Sequence, residues 1–221
     1  MLAHVTTGAV RGVESYLVRV EVNLAPGLPS FTVVGLAESA VREGRERVGA
    51  ALRNAGYPLP PRRITVNLAP ADVRKEGSAF DLPLAVGLLA ASGHLDPEAL
   101  EGTAFVGGLG LDVALRPVRG VLVLAAVSIR PGGRSAVVPR ENAAEAAVVR
   151  GMRVYGAGTL AEVVAHLAGG TPLAPVEVDA AAQIVRPAVE RETRKKDLAG
   201  QRVAVGVQAG GPEPDEHVPI A

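Results

Sequence analysis

The 221-residue chain has no cysteine, no tryptophan, three phenylalanines and three tyrosines. Without cysteine there can be no disulfide framework, no thiolate zinc site and no cysteine nucleophile. Lysine plus arginine and aspartate plus glutamate balance at 23 each, so no global field draws the chain to nucleic acid or to an anionic membrane. Any such binding has to come from a local patch. No run approaches the roughly 20 apolar residues of a membrane span. The start, MLAHVTTGAVRG, lacks the basic region and apolar core of a secretory leader. A soluble cytoplasmic protein is the expectation. The lysines are Lys75, Lys195 and Lys196, none preceded by glycine, whereas a phosphate-cradling P-loop needs Gly-Lys followed by Ser or Thr. The sequence as it stands therefore holds no P-loop ATPase site.

What is present is a hydrophobic fraction of 48 %, enough for one main domain with a buried core. The first part reads as strands, Leu2 to Val10 and Val13 to Leu24, because YLVRVEVNL alternates apolar and polar residues with period two. APGLPS interrupts this pattern and FTVVG resumes it. From Ala37 to Asn54 the period becomes helical, with Val41, Val48, Leu52 and Ala55 near one face, until Gly56, Tyr57 and Pro58 stop it. A strand over Ile64 to Ala69, a charged loop over Pro70 to Ala79 and a helix over about Leu82 to Ser92 follow. Phe105 to Leu111 with Val113 to Leu115 reads as a hairpin, and Arg119 to Ile129 as a helix. Strand Ser135 to Val138, helix Glu141 to Arg150, strand Arg153 to Tyr155 and helix Leu160 to Leu167 complete the alternation. Antiparallel strands first and strand-helix alternation later imply an α/β (α+β) fold, a mixed sheet with packed helices.

After Gly169 the composition shifts. Residues 170–201 read as a linker ending in the charged ERETRKKDLAGQ, and residues 202–221, rich in Gly, Pro and acid, as a disordered tail. Residues 1–169 form the expected domain.

The charged loop after Ile64 to Ala69 is where a site would be built. The basic residues with fewest acids around them are Arg62, Arg63, Arg74 and Lys75, and with Glu76 and Gly77 they are the candidate contact for nucleic acid or a protein partner. The other arginines, Arg42, Arg45, Arg47 and Arg53, interleave with Glu38, Glu43 and Glu46 at spacings of three and four, the pattern of a self-paired solvated helix face. Ser78 with Lys75 could form a hydrolytic pair, but an exposed lysine titrates near 10.4 and is a poor base. Asp81 is expected to cap the next helix, which would place Pro83 in the first turn, where its missing N–H costs nothing. The histidines, His4, His94, His166 and His217, show no ligand spacing. Asp72, Glu76 and Asp81 are expected to cap or to pair with Arg74 or Lys75 rather than to hold a cation. GGLGLD, Gly107 to Asp112, lacks the third glycine of a dinucleotide fingerprint and is read as a hairpin.

The run from Val18 to Gly93, VRVEVNLAPGLPSFTVVGLAESAVREGRERVGAALRNAGYPLPPRRITVNLAPADVRKEGSAFDLPLAVGLLAASG, resembles the N-terminal domain of the ComM/YifB family, magnesium-chelatase-like AAA+ ATPases. RPVRGVLVLAA, VVPRENAAEAAVV and VYGAGTLAEVVAHL resemble the same family in order, so the likeness covers roughly Met1 to Gly169. It implies the fold of ribosomal protein S5 domain 2, shared with the Lon protease domain. In the family an AAA+ module using ATP and magnesium follows, and the whole resembles ring-forming hexamers acting on DNA branches during natural transformation. KKDLAGQ resembles the opening of that module, but no Walker A loop follows it here. A truncated member, or one partner of a split pair with a separate motor chain, is the implication. The resemblance also places the Lon-type nucleophile at Ala79 and its lysine near Leu122, so neither member of that dyad is present. A non-catalytic accessory domain is expected, with no metal or cofactor of its own. The open alternatives are a degenerate hydrolase using Ser78 and a non-functional gene fragment.

Overall fold

The computed structural model describes residues 1–11, 14–73, 75–129 and 134–177. Most of the expected linker and all of the expected tail lie outside the described residues. The chain opens with two long strands, β1 (Leu2–Arg11) and β2 (Glu14–Ala25), paired antiparallel over their length. β3 (Ser30–Val34), helix α1 (Ser39–Asn54), β4 (Arg63–Ala69) and helix α2 (Asp81–Ala91) follow. Then come β5 (Thr103–Phe105), a small ribbon of β6 (Gly108–Leu109) and β7 (Leu115–Arg116), and helix α3 (Val121–Ile129). β8 (Ser135–Pro139), α4 (Ala143–Ala146), β9 (Arg153–Ala157) and α5 (Leu160–Leu167) close the domain.

Seven strands form one sheet in the order β3-β4-β2-β1-β5-β8-β9. β1, β2 and β4 pair antiparallel, while β3 on β4, β5 on β1, β8 on β5 and β9 on β8 are parallel. This is the mixed α/β sheet that the strand-helix pattern implies. The alternation of β5 and β8 divides the core in two. Val5, Val20, Val22, Phe105 and Val137 face one cluster with α1, α2 and α5, whereas Ala104, Val106, Ala136 and Val138 face a second cluster with α3 and α4.

α2 is the central element. DLPLAVGLLAA carries no amphipathic stripe, and all of its residues are buried, as expected of a helix covered on every side. Gly87 lets it approach the sheet: a Cβ there would sit 2.8 Å from Val22 Cγ2. On the second face, α3 comes close at Gly8, where a Cβ would meet the Leu124 carbonyl oxygen at 3.0 Å. Asn142 holds the α3 approach in place, donating to Val118 O at 2.9 Å and accepting from Val118 N at 2.8 Å.

Two expectations are corrected. The run from Phe105 to Leu111 does not form one arm of a hairpin. Its start joins the main sheet as β5, because Phe105 and Ala104 are buried on opposite faces, and only β6 turns back on β7. The helix expected over Glu141 to Arg150 is one turn, Ala143–Ala146, after a short 3-10 segment. Past Gly169 the chain still packs on the domain as far as Pro175, which bridges Tyr155, and Val176 N donates to Val154 O at 2.7 Å.

One buried polar atom lacks a partner among the described residues: Thr7 Oγ1, in a residue with no exposed surface. Replacing it with a methyl group removes a desolvated hydroxyl without opening a cavity. Thr7→Val is therefore expected to raise stability by about 1 kcal/mol in urea unfolding; a loss of similar size would show that the hydroxyl is satisfied.

Candidate functional site

The loop expected to carry a site leaves the C-terminal end of β4 and returns to α2 through Ser78–Phe80. Its anchor is Lys75. The backbone of Lys75 continues the sheet, donating to Leu36 O at 3.2 Å and accepting from Glu38 N at 3.1 Å, and so forms a parallel bridge with Ala37. The side chain turns inward, with no exposed surface, and Nζ donates to Pro70 O. Burial pushes its pKa below the ordinary lysine value, with the Asp72 carboxylate opposing. The expected exposed Lys75 is thus corrected. The strand-like backbone of residue 75 commits its side chain to the interior, where it cannot meet a phosphate.

A methionine of similar length fills the same space without a charge to desolvate. Lys75→Met is expected to leave stability unchanged or raise it by about 1 kcal/mol at neutral pH. The folded-state pKa is lowered, so the unfolded chain binds the proton more tightly and wild-type stability rises with pH between that value and the ordinary 10.5. Urea titrations at neutral and alkaline pH should show the variant's advantage shrinking as pH rises.

The remaining predicted contact residues are not brought together. Glu76 and Gly77 are exposed at the tip of the loop, where Gly77 takes φ +81°. Arg74 lies outside the described residues. Arg62 and Arg63 are exposed but sit at the opposite end of β4, beside Ala25 and Ser30. At about 3.3 Å per residue, β4 separates them from the loop by about 20 Å. The expectation that these two arginines lie beside the loop is corrected, because an extended strand turns a short sequence separation into a long spatial one.

The two positions at which the resemblance expects Lon-type chemistry, Ala79 and Leu122, hold apolar residues. Ala79 is half-buried against the second core, and Leu122 lies on α3 with its side chain 37 % exposed. Ser78 is exposed, and its Oγ lies beside β6, 3.4 Å from where a Cβ on Gly108 would be. The Lys75 amine is directed to Pro70 O instead.

Behind this loop lies the strongest polar feature of the domain, which the sequence pattern did not reveal. Asp81 is not a helix cap. Phe80 holds that place without a side-chain bond, and Asp81 is the first residue of α2, with Pro83 still inside the first turn. Its carboxylate, buried to 2 % exposure, is gripped by Arg47 of α1 in a two-pronged pair, Nε to Oδ2 and Nη2 to Oδ1, both 3.0 Å. Leu109 N adds a third bond at 3.3 Å. Burial pushes the Asp81 carboxyl above the ordinary value against the pull of Arg47 and the Leu109 N–H. The bond to Asp81 in turn holds the Arg47 guanidinium above its own ordinary value. Gly44 makes room for the pair, since a Cβ there would stand 2.6 Å from Asp81 Oδ1. Arg47 is therefore no member of a self-paired helix face. Its neighbour Arg45 pairs with the adjacent Glu46 at 2.7 Å rather than one helical turn away.

His166 Nδ1 accepts from Leu173 N at 3.1 Å, and its pKa is lowered by burial, so its role is to hold the chain after α5. Among the described residues no group of three His, Asp or Glu side chains is placed to hold a metal ion. Among them, too, no helix is long and apolar enough to cross a membrane.

Comparison with known proteins places the sequence in a family. The family model described as subunit ChlI of Mg-chelatase matches residues 20–142. The competence protein ComM of Haemophilus influenzae is 46 % identical over 168 residues, covering 76 % of this chain and 33 % of that protein. YifB of Salmonella typhimurium is 46 % identical over 168 residues, with the same coverage of 76 % and 33 %. YifB of Escherichia coli is 43 % identical over 168 residues, again with 76 % and 33 %. The chain spans about a third of the length of the curated relatives it matches. The match runs from within β2 through Asn142, over the β4 loop, α2 and the Arg47–Asp81 pair, and the chain belongs to the ChlI family of magnesium-chelatase-like proteins, among the ComM/YifB members.

Proposed function

We propose that the chain serves as a non-catalytic, Lon-like accessory domain of a ComM/YifB-type AAA+ protein, cytoplasmic, engaging DNA and working with an ATP-driven motor in a ring. The observation that carries this reading is the inward turn of Lys75. It removes the one lysine of the β4 loop from Ser78, in a family fold whose dyad positions here hold Ala79 and Leu122. The sequence contains no Gly-Lys-Ser or Gly-Lys-Thr, so ATP turnover belongs to a motor and not to this stretch. A role in competence is suggested by the relative named a competence protein, and DNA as the partner is what the family resemblance implies. On this chain it rests on exposed Arg62 and Arg63, with Arg74, Glu76 and Gly77 of the loop as a second contact. Lys75 drops out of that set because it is buried.

Electrophoretic mobility of single-stranded and branched DNA with the purified chain, across a salt series, tests this. Retardation should weaken steeply with salt, and Arg62→Ala with Arg63→Ala should lower the slope of log affinity against log salt by about 1 for each phosphate that is no longer neutralised. Absence of a shift at low salt would leave assembly with a motor as the domain's role.

A second reading, a hydrolase using Ser78, is favoured by one observation. Burial lowers the pKa of Lys75, as a lysine base requires. Its geometry is unfavourable, since Nζ is bonded to Pro70 O and Ser78 Oγ lies toward Gly108.

A further inference from the structure

The chain after α5 is fastened back onto the domain as a strap, and one of its fastenings is a histidine. Gly169, at φ +74°, and Gly170, whose N–H donates to Ala165 O at 2.8 Å, end the helix and turn the backbone back. Residues 171–176 then cross the edge of the sheet at β9. Leu173 packs against the first core cluster and Val176 against the second. Pro172 and Pro175 carry no N–H, so this stretch has few donors with which to hold on. Two of them reach other elements. Leu173 N donates to His166 Nδ1 at 3.1 Å, and Val176 N to Val154 O at 2.7 Å, beside the antiparallel bridge of Pro175 with Tyr155.

A backbone N–H can only donate, so the bond from Leu173 requires a lone pair on Nδ1. His166 is therefore neutral while the strap is closed, with its proton on Nε2. A proton on Nδ1 removes the acceptor and sets two N–H groups against each other. The His166 ring also lies against Tyr155, the residue that Pro175 bridges, with ring centroids 4.6 Å apart, so the histidine and the bridge share one contact. Of the ionisable groups on the surrounding elements, β9 contributes Tyr155 and, two residues away on the same face, exposed Arg153. On α5, Glu162 is taken by Arg140 Nη2 at 2.8 Å and by Gly158 N at 2.9 Å, and just past the strap Glu177 is exposed. Burial lowers the His166 pKa from the ordinary 6.5. Once the strap is released, the ring in the last turn of α5 gains solvent, and the helix C-terminus favours its charge.

We propose that His166 is a pH-sensitive catch: neutral, it holds residues 171–176 closed, and protonation of Nδ1 releases them and takes Pro175 and Val176 off the β9 edge. The closed state disfavours the proton, so the released strap binds it more tightly. Closure is fully stable above about pH 6.5 and weakens as pH falls from there toward the lower closed-state pKa. The strap begins the segment that, on the reading above, leads toward a motor. The inference stands without that reading, because every group in it belongs to the domain.

Amide exchange of the full chain, followed by NMR between about pH 7.5 and about pH 5.5 and expressed as protection factors, tests this. The protection factor of Val176 should fall about fivefold across that range, in step with titration of the His166 ring nitrogens, while that of Val137 in β8 stays constant. Two variants separate the proton from the packing. His166→Gln offers an uncharged carbonyl acceptor, and His166→Phe keeps a ring against Tyr155 without an acceptor. Circular dichroism should show both folded, and in both the Val176 protection factor should be independent of pH, lower in His166→Phe than in His166→Gln. A wild-type Val176 protection factor constant across the range would overturn the inference. So would a fall of equal size in both variants, which would move the pH dependence to Glu162 and its bond to Arg140.

Discussion

Arg47→Ala is expected to lower stability by about 3 kcal/mol, because it leaves the Asp81 carboxylate buried without its counter-ion. Arg47 is one third exposed, which holds the figure at the low end of the range for a broken buried pair. For a domain of this size the loss corresponds to a fall in Tm of about 6 to 12 °C. The pH dependence gives the mechanism its signature. Burial already raises the folded-state pKa of Asp81. Without Arg47 it rises further, so the folded variant takes up a proton more readily than the unfolded chain. The penalty should be largest at neutral pH and shrink as pH falls through that raised value, since a neutral carboxyl needs no counter-ion. In Arg47→Ala with Asp81→Asn the buried charge is gone, and the double variant should lose less than the sum of the single losses. Urea unfolding of the four proteins at two pH values reads all of this. Additive losses independent of pH would mean that the pair contributes only packing.

Gly35→Ala should cost a comparable amount, about 3 kcal/mol, from two sources that reinforce one another. Its φ of +97° lies where an L-residue is strained, and an added Cβ would overlap the Leu68 carbonyl oxygen of β4, a backbone atom that cannot step aside. The clash sits where β3 leaves the sheet, so the effect should be local before it is global. Amide exchange of Val33 and Val34 should accelerate more than that of α2. Uniform acceleration across the domain would show that the β3 end unfolds only with the whole.

The two-residue and helical periods made most of the frame legible. YLVRVEVNL reads directly as β2, Val41, Val48 and Leu52 as the buried face of α1, and Leu160 to Leu167 as α5. What periodicity could not reveal is pairing between distant elements. Arg47 and Asp81 are 34 residues apart, and Arg47 among Glu43 and Glu46 looks like any solvated helix face. Lys75 looks like a loop cation until its backbone is seen to extend the sheet against Ala37. The candidate contact residues were legible as residue types, but their grouping was not, because the seven residues of β4 are close in sequence and far apart in space. The absence of a P-loop and of cysteine chemistry, by contrast, needs no coordinates. Those conclusions rest on which residues are there to react.

The most direct test is labelling of the full chain with a fluorophosphonate serine probe at neutral and alkaline pH, beside Ser78→Ala and Lys75→Met. The fold predicts no label above that of Ser78→Ala at either pH, since Lys75 Nζ is committed to Pro70 O and Ser78 has no base. Labelling that disappears in both Ser78→Ala and Lys75→Met would contradict the non-catalytic reading and make the β4 loop an active site.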